Sequence, residues 1–173
     1  AKQRGGVCCY YVDLYQTDSL ASLVRQLGEE VLGTLDTREM KIVRSVASFF
    51  RSLRPAITVD PVTGELKFAI DVQPQTAEQS LAEIFSYMQK SGKRCYVAFD
   101  EFQTVASYAD KNVEALLRAH IQHLTSVQFI FSGSQRHVLE NMFTSAARPF
   151  YQSAQMMHLS NIEKDVYRAF AEE

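Results

Sequence analysis

Predominantly apolar runs of strand length alternate along this chain with segments that carry apolar residues at helical spacing. The runs lie at residues 7–12, 95–99 and 127–131. A continuous apolar run is typical of a strand that is covered on both faces, as in a parallel sheet. Such strands alternating with amphipathic helices indicate βαβ units. The pattern therefore predicts a three-layer αβα domain with a mostly parallel sheet.

Apolar stripes also give the predicted helices. The first carries Leu20, Leu23, Leu27 and Val31 and ends at Gly33. A second begins near Thr37, includes Phe50 and Leu53, and ends at Pro55. Capping boxes, at Thr76 with Gln79 and at Ser160 with Glu163, predict two further helix starts. The remaining predictions are helices over 113–124 and 138–143 and a weak strand over 156–159.

The periodicity changes to two between the second helix and Thr76. Apolar and polar residues alternate on either side of residues 60–64, which contain Pro61 and Gly64. This pattern predicts a β-hairpin with one solvated face. We expect the hairpin, at about residues 56–72, to be an insertion outside the buried sheet.

Composition narrows the class of protein. The chain has 173 residues, of which 46% are hydrophobic and 22% charged, values that exclude a disordered chain and fit one globular domain. No apolar run reaches the length of a membrane helix. The net charge of −2 provides no basic surface for binding nucleic acid by bulk electrostatics. The three cysteines, Cys8, Cys9 and Cys95, lie in apolar runs, so we expect reduced, buried thiols in a cytoplasmic protein.

Polar residues follow each of the three apolar runs. Asp13 ends the first, Asp100 and Glu101 end the second, and Ser132-Gly133-Ser134 ends the third. In open α/β sheets, ligands bind beyond the carboxyl ends of the strands. Five apolar residues followed by Asp-Glu form the Walker B pattern, in which the first carboxylate orients the hydration shell of Mg²⁺ and the second polarises the attacking water. A simple polar end to a strand is the alternative interpretation.

The order of these motifs resembles that of the archaeal-type ATPase family, AAA+-like members of the STAND branch of P-loop NTPases. The resemblance covers nearly the whole chain except the hairpin. It implies a partial ATPase core over residues 1–160, followed by the start of a C-terminal helical lid over 161–173. The matching segments are residues 10–14, 95–103, 129–134 and 147–151.

The resemblance also implies roles for individual residues. Asp100 would associate with Mg²⁺ through water and Glu101 would be the catalytic base. Ser132 or Ser134 would take the sensor position near the γ-phosphate of ATP. Arg136 or Arg148 would contact phosphate, with Arg148 favoured as the catalytic arginine, although a surface salt bridge is the commoner role for either arginine. Gln103 would communicate the nucleotide state or cap the following helix.

The sequence departs from the family in one respect, because no G-x-x-x-x-G-K-[ST] phosphate loop occurs in it. We therefore expect the first strand and its P-loop to precede this sequence in the full-length protein, and this chain alone to be inactive. The expected function is ATP binding and hydrolysis coupled to conformational change, with ATP and Mg²⁺ as ligands. The resemblance allows a nucleotide-dependent oligomer and a protein or nucleic-acid partner bound through a further C-terminal region, but no membrane partner.

A second function stays open at this point. The chain could be a non-catalytic protein- or nucleic-acid-interaction module with a degenerate nucleotide site. An intact phosphate loop upstream would favour the ATPase, and its absence would favour the interaction module. The pair His120 and His123 has a spacing that suits a metal, but the sequence offers no residues to complete such a site.

Overall fold

Four strands form the main sheet of this protein, and two more form a separate hairpin. The computed structural model describes residues 2–4, 6–33, 50–59 and 66–172. The strands are β1 (Lys2–Arg4), β2 (Val7–Asp13), β3 (Arg54–Val59), β4 (Leu66–Asp71), β5 (Arg94–Asp100) and β6 (Val127–Phe131). The helices are α1 (Leu20–Gly33), α2 (Ala77–Lys90), α3 (Val113–Ile121), α4 (Arg136–Thr144) and α5 (Lys164–Ala171), with short 3₁₀ turns at Pro74–Thr76 and Phe102–Ser107.

The main sheet has the strand order β1-β2-β5-β6. The neighbours β2, β5 and β6 are parallel, as their apolar runs predict, and β1 adds to β2 as an antiparallel edge strand. Gly6 makes the tight connection between β1 and β2 with a φ of 85°, a conformation that favours glycine. The α/β class and the mostly parallel sheet are therefore confirmed.

One face of the sheet carries the hydrophobic core. Residues of β2, β5 and β6 that are paired across the strands, such as Tyr10, Val97 and Phe129, point to the same side. They pack with apolar residues of α1, α2 and α3, which include Leu27, Phe85 and Leu117. The aromatic ring of Phe85 on α2 meets that of Phe129 on β6 edge to face, at 5.8 Å between centroids.

The opposite face of the sheet differs from the prediction of strands buried on both sides. Burial along β2 alternates, so Tyr10 and Val12 are buried while Cys9 and Tyr11 are exposed. Ile130 of β6 is also 54% exposed on this face. The prediction that all three cysteines are buried is therefore wrong for Cys9. An apolar run alone cannot reveal whether a second layer covers each face.

The hairpin predicted at about residues 56–72 is confirmed. Strands β3 and β4 pair antiparallel in a sheet of their own, with Arg54 opposite Asp71. The predicted turn at 60–64 lies outside the described residues. Contacts between β4 and α1, including the close packing of Ile70 on Gly28, attach the hairpin to the core.

Two local predictions need correction. The end of the second predicted helix, residues 50–53, is irregular, and the rest of that helix lies outside the described residues. Phe50 and Leu53 are nevertheless buried. Their burial results from packing against the core and does not require the segment to be helical. Residues 156–159 form no strand, because no described strand lies beside them to supply hydrogen bonds, and Leu159 is 88% exposed.

The two capping boxes do not form. The hydroxyl of Thr76 donates to the carbonyl of Gln73, because a 3₁₀ turn leads directly into α2. The N-cap residue of α5 is Glu163, and its side chain makes no capping hydrogen bond. The helix therefore starts later than the predicted capping box at Ser160. Among the described helices, none is long and apolar enough to cross a membrane.

Candidate functional site

The polar residues that end the parallel strands meet at one edge of the sheet. Asp13 and Asp100 are paired across β2 and β5, so they lie side by side. Ser132 follows β6, and its backbone N–H donates to the carbonyl of Phe99 at 2.9 Å. The backbone N–H of Phe102 donates in turn to the carbonyl of Ser132 at 2.9 Å. These bonds hold the segments after β5 and β6 together.

Asp100 receives hydrogen bonds from both neighbouring strands. The hydroxyl of Tyr11 on β2 donates to Oδ2 at 2.5 Å, and the hydroxyl of Ser132 donates to Oδ1 at 2.7 Å. The backbone N–H of Glu101 adds a third donor to Oδ1 at 3.0 Å. The bonds from Tyr11 and Ser132 lower the pKa of the Asp100 carboxyl against the opposing effect of desolvation. Asp100 is thus held ionised in a fixed orientation.

This arrangement suits a hydrated magnesium ion better than a direct metal cage. Among the residues that the structure describes, no group of three or more His, Cys, Asp or Glu side chains lies close enough to hold a metal. Mg²⁺ in nucleotide sites keeps most of its waters and uses one or two carboxylates. A carboxylate accepts about four hydrogen bonds. Asp100 accepts three, which leaves capacity on Oδ2 for a metal-bound water.

Glu101 has a different set of partners from its neighbour. Its backbone takes the left-handed conformation, with φ 52° and ψ 38°, which directs the chain into the 3₁₀ turn that follows β5. The hydroxyl of Ser134 donates to Glu101 Oε2 at 2.9 Å, and the amide of Gln103 donates to the same oxygen. The structure therefore brings Glu101 and Ser134 together, while Asp100 and Ser132 form a separate hydrogen-bonded pair.

The two candidate arginines are bound to other carboxylates. Arg136 Nε donates to Glu140 at 2.7 Å within α4, and the Arg136 side chain is 66% exposed. Arg148 Nη2 donates to Glu114 on α3 at 2.5 Å, in a more buried ion pair. Burial raises the pKa of the Glu114 carboxyl, and the cation of Arg148 opposes this rise. A phosphate contact by Arg148 would require this pair to open.

Two further residues contact these carboxylates. Tyr11 lies in an apolar run predicted to be covered on both faces, but it is 55% exposed and bonds to Asp100. Its bond to Asp100 raises the pKa of the Tyr11 phenol to about 12. Of the two roles predicted for Gln103, the helix cap is not observed, since the side chain is 4% exposed and donates to Glu101, and the role in communicating nucleotide state stays a prediction. Side chains alternate between the two faces of a strand, so Tyr11 lies on the same face as Asp13 and Asp100. This alternation could have predicted that Tyr11 lies near Asp100.

A groove runs along the outer edge of β6. Its volume is about 910 Å³, and it is lined by β6, by residues 132–134 and by residues 153–159. In the described part of the chain, no strand pairs with this edge of β6. The candidate serines therefore stand at one end of an open groove beside the sheet. The histidines His120 and His123 lie elsewhere, on and just after α3, and belong to no metal-binding cluster among the described residues.

Comparisons with known proteins show the fold. No family model matches the sequence, and no curated protein matches it. A Walker-type ATPase of Pyrococcus abyssi superposes with a TM-score of 0.52 at 17% identity, over 95% of this chain and 47% of that one. The ORC2 protein of Aeropyrum pernix, whose structure was determined in ADPNP–ADP complexes, matches with a TM-score of 0.45 at 15% identity, over 79% of this chain and 28% of that one.

This chain thus spans less than half the length of either structure. The likeness agrees with the resemblance that the sequence motifs indicate. This chain therefore shares its α/β fold with the Walker-type ATPase of Pyrococcus abyssi.

Proposed function

We propose that this chain is part of the core of an AAA+-like ATPase that couples ATP binding and hydrolysis to a conformational change. One observation carries the proposal. Asp100 and Glu101 lie at the carboxyl end of a parallel strand, with hydroxyls from the segment after the next strand bonded to both carboxylates. Ligands of open α/β sheets bind at this edge.

The two carboxylates have separate proposed roles. Asp100 would hold Mg²⁺ through a metal-bound water, and the ion would neutralise charge on the phosphates of ATP. Glu101 would accept a proton from the attacking water, as a general base within hydrogen-bond reach. Ser132 and Ser134 would sense the γ-phosphate, because each hydroxyl already bonds to one of these carboxylates. Arg148 or Arg136 would stabilise charge on the phosphate after leaving its present carboxylate.

The phosphate loop is the remaining requirement of this proposal. Its backbone N–H groups and lysine supply most of the phosphate binding in P-loop proteins. The 173 residues of this chain contain no such motif. The proposal therefore assigns the loop to an upstream part of the full-length protein, and the same observation favours the non-catalytic interaction module as the second candidate.

The test is a substitution of Glu101 in the full-length protein. We expect Glu101→Gln to keep ATP affinity, because the change preserves shape and removes only the base, and to abolish steady-state hydrolysis. The matched control is Glu78→Gln, since Glu78 is an exposed residue of α2 away from the site. Wild-type turnover in Glu101→Gln would remove Glu101 from the mechanism. An upstream sequence without a phosphate loop, together with no ATP binding, would favour the interaction module.

A further inference from the structure

A buried amide lies between the two segments that form the candidate site. Gln103 is in the 3₁₀ turn after β5, and its side chain is only 4% exposed. Its Nε2 donates to Glu101 Oε2. Its Oε1 is buried with no hydrogen-bond partner among the described residues. Such an unpaired buried oxygen costs free energy, so this amide is a poor contact for stability alone.

Gly133 makes room for this amide. A Cβ atom placed on Gly133 would lie 1.9 Å from Gln103 Oε1 and 3.0 Å from its Cδ. These separations are far inside van der Waals contact, and the amide is confined by its own burial. A side chain at position 133 would therefore require either the Gln103 amide or the segment 132–134 to move. The position of Gln103 and the course of that segment depend on one another.

The two carboxylate oxygens of Glu101 have different surroundings. Oε2 receives the Gln103 amide from one side and the Ser134 hydroxyl, at 2.9 Å, from the other. Among the described residues, none donates a hydrogen bond to Oε1 of the same carboxylate, so this oxygen keeps its capacity to accept a proton. A general base needs such an arrangement, with one oxygen anchored and the other directed to the substrate water.

We propose that Gln103 is a positioning residue for Glu101. Its amide anchors one carboxylate oxygen against the 132–134 segment and thereby directs the other toward the attacking water. This inference rests on the proposed ATPase function, since it assigns Gln103 a part in the same reaction. The segment after β6 also contacts these two residues directly. Gly133 packs against Gln103, and Ser134 donates a hydrogen bond to Glu101.

The first test measures the packing in the full-length protein without nucleotide. Gly133→Ala should lower the urea midpoint of unfolding clearly in the wild-type background and much less when combined with Gln103→Ala, because the clash is then gone. Gly33→Ala is the control, since no described residue lies within 4 Å of a Cβ at that position. Additive effects of Gly133→Ala and Gln103→Ala would show that the two residues do not constrain one another, and would overturn the inference.

The second test separates positioning from structure. Gln103→Met keeps the length of the side chain and removes the donor. We expect kcat for ATP hydrolysis to fall about 10- to 100-fold, the loss typical of a misplaced catalytic group, while ATP affinity is unchanged. Ser134→Ala removes the other donor to Oε2 and should also lower kcat. Gln79→Met, at an exposed position of α2, is the control.

The outcomes distinguish this inference from the proposed function. Wild-type kcat in Gln103→Met, with an inactive Glu101→Gln, would overturn the role of Gln103 and leave the ATPase proposal intact. Wild-type kcat in both variants would overturn the mechanism proposed for Glu101 and the inference with it. Equal loss of kcat and of ATP affinity in Gln103→Met would indicate a general structural role and would also overturn the inference.

Discussion

At the scale of single residues, Asp100 and Glu101 are adjacent in sequence but have separate partners. Asp100 is bonded to strands on both sides of its own, through Tyr11 and the Ser132 hydroxyl. Glu101 turns away in a left-handed conformation and bonds to Ser134 and Gln103. Separate hydrogen-bond sets allow neighbouring carboxylates to have different orientations and different chemical roles.

The two arginines give a prediction on stability. Arg148→Met should lower the free energy of unfolding by about 1–3 kcal/mol, because it leaves the mostly buried Glu114 carboxylate without its donor. Arg136→Met is the matched change, and its loss should be about 0.5 kcal/mol or less, since its ion pair with Glu140 is an exposed i, i+4 pair. Urea unfolding at neutral pH measures both. Equal losses would contradict the difference in burial on which the prediction depends.

The sequence could predict the main carboxylates at this scale but not their neighbours. Asp100, Glu101 and the two serines follow apolar runs, and parallel strands bring such ends together. The exposure of Tyr11 could not be predicted from the apolar run, although strand alternation places Tyr11 on the same face as Asp13. The resemblance named Gln103, but its burial could not be predicted, because it depends on the close approach of Gly133, a contact between segments that are distant in sequence.

At the scale of elements, two polar contacts join the segment after β2 to the segment after β5. The hydroxyl of Thr17 donates to the carbonyl of Leu14 at 2.6 Å and lies 2.5 Å from the hydroxyl of Tyr108. The backbone N–H of Leu20, at the start of α1, donates to Asp110 at 2.7 Å. Both contacts lie beside the carboxyl edge of the sheet, so they stabilise the surroundings of Asp100.

Tyr108 gives these contacts a measurable pH dependence. Burial raises the pKa of the Tyr108 phenol to about 12, from an ordinary value near 10. The unfolded chain therefore loses this proton at lower pH than the folded one, so the contribution of Tyr108 is complete below pH 10 and is lost as the pH rises towards 12. The urea midpoint of Tyr108→Phe should fall less than that of the wild type between pH 10 and 12.

The control for this titration is Tyr15→Phe, because Tyr15 is 74% exposed. The urea midpoint of Tyr15→Phe should fall with pH as much as that of the wild type between pH 10 and 12. The raised pKa of Tyr11 contributes to the fall in the wild type and in both variants, so the difference between Tyr108→Phe and the other two proteins isolates Tyr108. Identical pH profiles for all three proteins would contradict a buried, protonated Tyr108.

The elements themselves were largely predictable, and the exceptions have one cause. The three parallel strands and the helices α1, α2 and α3 have strong periodicity and lie close to their predicted positions. Residues 156–159 have strand-like composition but no strand, because a strand exists only where a neighbour completes its hydrogen bonds. The short edge strand β1 was missed for the same reason, since its pairing with β2 depends on the turn at Gly6.

At the scale of the whole molecule, the sheet is open on one side. In the described part of the chain, the outer edge of β6 has no partner strand, and Ile130 is exposed beside it. Exposed strand edges pair readily with other strands. The groove along this edge ends at Ser132 and Ser134. A strand placed there, with a loop at its carboxyl end, would bring that loop to the candidate site.

The open edge of β6 leads to a prediction about how tightly the 173-residue chain alone binds nucleotide. The 173-residue chain should bind Mg·ATP only weakly, with a Kd above about 1 mM, because it offers one carboxylate pair and no backbone cradle for the phosphates. Isothermal titration calorimetry measures this affinity directly, with Asp100→Asn as the comparison. Micromolar affinity of the unextended chain would contradict the requirement for a phosphate loop.

The most direct measurement locates the metal. Crystals of the full-length protein with Mn²⁺ and a non-hydrolysable ATP analogue would give the ion an anomalous signal. The ion should lie about 4–5 Å from the Asp100 carboxylate, the separation expected when one water bridges them, with the terminal phosphate facing Glu101. An ion and nucleotide bound elsewhere than at the carboxyl end of β5 would contradict the central claim that these two residues form an ATPase site.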